Sequence, residues 1–234
     1  MSSERPAREQ GFRDNRWHRM RREAGAGFWM GTAFCAQLAL AIAVLAATGT
    51  DLKGTASALH VTGRLSFLLF WPAYAGGAIA TLFGPRFNWL SRRGRDFGLA
   101  YAAAQLVHVA LVARLVLIGD RPLLQSIMPF FAVGVVWTYL LALSSVERLA
   151  DLFPPDLWRV LRTAGLEYIA LVFFADLVIL PIESNTTHLI DYVPFSILLI
   201  AGAFLRTAAT VCRLGGGHVR RWKQPGGRDH QLVR

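Results

Sequence analysis

"RRGRDFGLAYAAAQLVHVALVARLVLI", residues 92–118, opens with three arginines in four positions and then runs from Phe97 to Ile118 with Arg114 as its only charged side chain. A helix of that length rises roughly 33 Å at 1.5 Å per residue, enough to cross a hydrocarbon layer of about 30 Å. The stretch therefore reads as a transmembrane helix with a cationic anchor at its start. Near its middle, roughly 15 Å from either interface, sits one imidazole, that of His108.

The rest of the chain repeats this pattern. Of 234 residues, 54% are hydrophobic and 17% charged, with a mean hydropathy of +0.38, whereas soluble domains carry about 25% charge. The class is an all-α integral membrane protein. Five further stretches reach spanning length, so the expected fold is a six-transmembrane-helix bundle with spans near 27–49, 62–84, 97–118, 127–147, 160–181 and 192–213. The organisation follows as a basic arm (1–26), the bundle (27–213) and a basic tail (214–234).

A formal charge of +10 would suggest nucleic acid in a soluble domain, but here the cations lie between the apolar stretches. No nucleic-acid partner is expected; the partner is the bilayer. The arm carries Arg5, Arg8, Arg13, Arg16, Arg19, Arg21 and Arg22, the second connection Arg86, Arg92, Arg93 and Arg95, and the fourth Arg148, Arg159 and Arg162. The alternate connections hold only Lys53 and Arg121. Retention of cations on the cytoplasmic side puts both termini in the cytoplasm. The first apolar stretch follows a long polar arm and exceeds a signal-peptide core, so cleavage is not expected. Cys35 and Cys212 sit toward the inner ends of their spans, so no disulfide is expected, and the absence of CxxCH excludes covalently attached haem.

Small residues at spacing four in span 1 (Gly27, Gly31, Cys35, Ala39, Ala43, Ala47) form an expected packing face, as do Gly76, Ala80 and Gly84 in span 2. Matched depth suggests two ion pairs across helices, Arg114 with Asp176 and Glu167 with Arg206. The outer-loop group "ESNTTH", residues 183–188, lacks a base and orienting group at fixed spacing and is not read as a catalytic site. On span 3, the His108 face also carries Tyr101, Ala104, Gln105, Val112 and Leu115. The imidazole then either bonds a neighbouring helix, with Tyr101 or Gln105 assisting, or ligates a metal, for which haem iron is the natural choice.

The stretches "TGRLSFLLFWPAY" (residues 62–74), "RRGRDFGLAYAAAQLVH" (92–108), "LALSS" (141–145) and "DLWRVLR" (156–162) together resemble the ferric reductase-like transmembrane domain family, nearest to its haem-binding bacterial membrane subunits. The likeness covers the six-span layout and about 100 residues. It implies a location in the bacterial cytoplasmic (inner) membrane. It implies His108 as a ligand of haem b, preceded by Thr62 and Gly63 opening span 2 and by Arg92, Arg93, Phe97 and Gly98 opening span 3. The family's span 5 brings two histidines; here those positions hold Arg162 and Ala175, the latter beside Asp176. His60 and His188 fall at the outer connections, too far from the midplane to substitute.

Two functions remain open on this reading. One is a b-type haem electron-transfer subunit, an oxidoreductase component served by a quinone or a separate redox partner protein, since the tail has no nucleotide-binding signature. In it, Arg64 and the cytoplasmic arginines steer anionic groups. The other is a haem-free six-span scaffold, assembly factor or transporter subunit that keeps only the fold.

Overall fold

A computed structural model of the chain describes residues 5–119, 122–145, 154–183 and 189–222. Among the described residues every regular element is helical, with no strand. Six helices are long and apolar enough to cross a membrane: Gly25–Thr48, Leu52–Phe83, Pro85–Ile118, Ile127–Ser144, Asp156–Ile182 and Val193–Leu214. These are spans 1 to 6 below. The first helix itself begins at Arg5 and the last continues to Trp222, so much of the arm and the start of the tail are helical extensions of the outermost spans.

Span 2 begins earlier than residue 62. Gly49, at φ 94°, ends span 1, and the Asp51 carboxylate then accepts from the Gly54 amide at 2.9 Å, capping the new helix at its first turn. A Cβ on Gly54 would collide with the Gly49 carbonyl, so a glycine is needed where the chain doubles back. The early turns bury Gly54, Thr55 and Ala58 against neighbouring helices, a contact that hydropathy does not register. At the other end Gly84, at φ 85°, stops span 2, and a short helix, Asn88–Arg92, folds back along it. Gly76 permits this: a Cβ there would stand 2.9 Å from Leu90 Cγ.

Span 1 reverses the expected packing face. Ala26, Ala33, Gln37 and Ala41 are buried, whereas Gly27, Gly31, Cys35, Ala39, Ala43 and Ala47 lie exposed on the outside of the bundle. Alanines provide the close approach on the buried side, and the fully buried Gln37 amide selects that side because hydrocarbon would leave it unbonded. Spans 4 and 5 meet at glycine. A Cβ on Gly134 would lie 2.8 Å from Val172 Cγ2, and one on Gly165 would lie 2.7 Å from Trp137 Cε3. Cys35 and Cys212 are both free thiols.

The interior between spans 2, 3, 5 and 6 is a layer of rings. Phe70 lies 5.4 Å from Tyr101, 5.3 Å from Tyr74 and 5.2 Å from Phe173, and Phe67 lies 5.3 Å from Phe173. Such offset and tilted pairs pack rigidly and leave little room between rings.

Replacing Gly165 with valine should destabilise the bundle by about 1–3 kcal/mol through overpacking against Trp137 and Leu141. The check is unfolding of the purified protein in mixed micelles; a wild-type transition would contradict the spans 4–5 contact.

Candidate functional site

The interhelical polar contacts centred on His108 and on Glu167 form two sets, one on each side of the ring layer, the first buried and the second half exposed. The first surrounds His108. Its Nδ1 lies 3.0 Å from Thr62 Oγ1, and that hydroxyl also reaches the Ala58 carbonyl at 2.8 Å and the Leu59 carbonyl at 3.2 Å. A threonine hydroxyl has one proton, and the carbonyls can only accept it. Toward His108 the oxygen therefore accepts, which assigns the imidazole proton to Nδ1 and leaves the lone pair on Nε2.

Gly63 brings span 2 this close. A Cβ on it would stand 3.4 Å from His108 Cε1 and 3.8 Å from Asp176 Oδ2, so imidazole and carboxylate converge on the same hydrogen of the glycine. Asp176 is placed by a single π-helical turn, Ala175–Ile179, within span 5. Such a turn inserts one residue into the helical register and is common at functional sites. Pro181, one turn on, has no amide to offer the Leu177 carbonyl, and Ser196 of span 6 donates to that carbonyl instead at 3.0 Å. On the far side of Thr62, Gln37 of span 1 donates to the Thr62 carbonyl at 2.8 Å and to Ser66 Oγ at 3.2 Å.

The set continues toward the end of the bundle that holds the span 1–2 turn. Arg64 interacts electrostatically with Asp176 without a direct ion pair, and its guanidinium lies 5.0 Å from the Tyr192 ring centre and 5.5 Å from that of Phe195. Burial pushes the Tyr192 phenol above its ordinary range, with Arg64 opposing, and its hydroxyl lies 3.2 Å from His60 Nδ1. His60 itself lies on the span 2 helix, two residues before Thr62, and not in a connection.

The second set lies on the other side of the rings, about 18 Å along span 2 from Thr62 to Tyr74. Glu167 accepts from Arg206 Nε at 2.7 Å and from the Tyr74 hydroxyl at 2.8 Å. Arg206 also donates to the Tyr74 carbonyl at 2.9 Å and covers the Tyr74 ring at 4.5 Å. One carboxylate thus joins spans 2, 5 and 6.

Depth matching alone anticipated the Glu167–Arg206 pair. It failed for Arg114, which donates to the Thr50 carbonyl at 2.7 Å and leaves Asp176 to Arg64. A long arginine at a helix end reaches the nearest turn carbonyl, and depth says nothing of azimuth. Tyr101 and Gln105 do not assist His108: Tyr101 bonds Thr138 of span 4 at 3.2 Å, and Gln105 Oε1 is buried without a partner. The actual partner, Thr62, was legible only as a motif position; its signal was a hydroxyl beside glycine at the imidazole's depth. Gln37, Ser66 and the reach of Arg64 were missed. His188 and most of the 183–188 loop lie outside the described residues.

A six-coordinate b haem between spans 3 and 5 requires a second axial group and a slot for the macrocycle. Span 5 offers Ala175 and Asp176 there, and Phe67, Phe70 and Phe173, at 0, 1 and 6% exposure, pack into one another beside these positions. These residues do not fit that group. No protein-family model, curated protein or solved structure matches the chain.

A double-mutant cycle of Thr62→Val and His108→Phe should return a coupling of about 0.6 kcal/mol, the average for hydrogen bonds between membrane helices. Additive losses in unfolding free energy would show that the two side chains do not bond.

Proposed function

We propose that the chain is a ferric reductase-like six-span membrane protein that keeps the family's bundle and works without a b haem, as a membrane scaffold, assembly factor or transporter subunit. The observation that carries this reading is the pairing of an unsuited span 5 position, Ala175 beside Asp176, with a close-packed ring layer next to it. His108 then acts as an interhelical hydrogen-bond donor that fixes span 3 against Thr62. The arginine distribution supports both termini on the cytoplasmic side, and the family likeness supports a bacterial inner membrane.

One observation favours the other reading, a haem electron-transfer subunit with His108 as sole histidine ligand. The Thr62 contact ties down Nδ1–H and leaves Nε2 free, the arrangement that metal-bound imidazoles adopt. In that case a quinone or separate redox protein supplies the electrons.

Visible spectra of the detergent-purified protein, oxidised and dithionite-reduced, from cells given ample haem precursor separate the two. The haem-free reading expects no Soret band. A Soret band with sharp reduced α and β bands that disappears in His108→Ala would overturn it in favour of the cytochrome.

A further inference from the structure

Two cavities open at the arginine-rich end of the bundle, and neither belongs to the His108 site. The smaller, about 260 Å³, lies among spans 2 to 5 and is lined by Arg95, Arg162, Trp158 and Ser145 over apolar walls that include Leu141 and Leu166. The larger, about 550 Å³, lies among spans 2, 5 and 6 and the start of span 3. They share Ala73, Gly94, Arg162 and Leu166, so they adjoin at Arg162.

The charges around them are not balanced. In the larger cavity, Arg206 is paired with Glu167, Arg159 with Asp156 at 3.4 Å, and Arg213 donates to Thr81 at 2.7 Å. Arg162 has no hydrogen bond or ion pair among the described residues, and Arg95 Nε is buried without a partner. Among the described residues, no acidic side chain lines the smaller cavity. Two guanidinium groups without counter-ions among the described residues, next to apolar walls, leave a deficit that a membrane-resident anion can fill: guanidinium groups bind phosphate oxygens in a fork, and the walls accept hydrocarbon. A free phosphate would satisfy the arginines and leave the apolar walls uncovered.

We propose that this end of the bundle binds an anionic phospholipid, its phosphate between Arg95 and Arg162 and its chains along the apolar wall past Leu166. Basic pockets between transmembrane helices are suited to such headgroups. The bound lipid bridges spans 3 and 5, whose helices otherwise meet through the ring layer, and Trp158 lies at the site to report on it.

Native mass spectrometry of the full chain, with Trp fluorescence as a second readout, tests this using dioleoyl phosphatidylglycerol, dioleoyl phosphatidylcholine and inorganic phosphate as probes. The expected result is retention of phosphatidylglycerol over phosphatidylcholine, unaffected by inorganic phosphate. Binding should weaken roughly five-fold for Arg162→Gln, further for Arg95→Gln with Arg162→Gln, and not at all for Lys53→Gln at the opposite end. Arg162 is exposed, and its side chain has no hydrogen bond or ion pair among the described residues, so its variant keeps the test sound if the double variant misfolds. Equal retention of both lipids, wild-type binding by Arg162→Gln, or displacement by inorganic phosphate would each overturn the proposal.

Discussion

Lipid supplies no hydrophobic force between helices, so this bundle depends on the few polar bonds and close approaches that join one span to another. Span 2 makes most of them. Its Thr62 hydroxyl accepts from span 3, its Thr62 carbonyl and Ser66 hydroxyl from span 1, its Tyr74 hydroxyl donates to span 5, and its Trp71 indole donates to the Leu198 carbonyl of span 6 at 2.7 Å. Gly202 makes the last bond possible, because a Cβ there would lie 3.0 Å from the indole nitrogen. Span 4 is the exception: among the described residues it makes no such bond with span 2 and attaches to span 5 through glycine and the Tyr168 hydroxyl, which donates to the Phe130 carbonyl at 3.1 Å, and to span 3 through Thr138.

This arrangement explains why the polar groups form two sets and not a continuous file. Along span 2 the order is Thr62, Arg64 and Ser66, then Phe67 and Phe70, then Tyr74; along span 5 it is Asp176, then Phe173, then Glu167. Both helices change from polar to aromatic and back at the same depth. The His108 site and the Glu167–Arg206 lock are thereby separate structures that share a wall.

The sequence was informative where a property depends on depth alone. Six spans, their order and the Glu167–Arg206 pair follow from hydropathy and from counting residues along helices. Azimuth was not legible: the small stripe of span 1 faces outward because Gln37 on another face governs, and Arg114 turns to Thr50. Neither was the π-helical turn at Ala175–Ile179, which depends on Pro181 and on a span 6 serine that no local pattern connects to it. The family likeness drew attention to His108 and Thr62 separately, while their bond needed the packing of two helices 46 positions apart in the chain.

The ring layer also has an electrical consequence. In a bilayer, a transmembrane voltage falls chiefly across the least polarisable material in its path, and each unit charge moved through the whole drop exchanges about 2.3 kcal/mol per 100 mV. The rings of Phe67, Phe70 and Phe173 hold no charged side chain and form a low-dielectric segment of that path. Asp176 and Arg64 lie on one face of those rings, and Glu167 and Arg206 on the other. A charge passing from one set to the other would have to cross that layer, where no charged side chain stands to receive it.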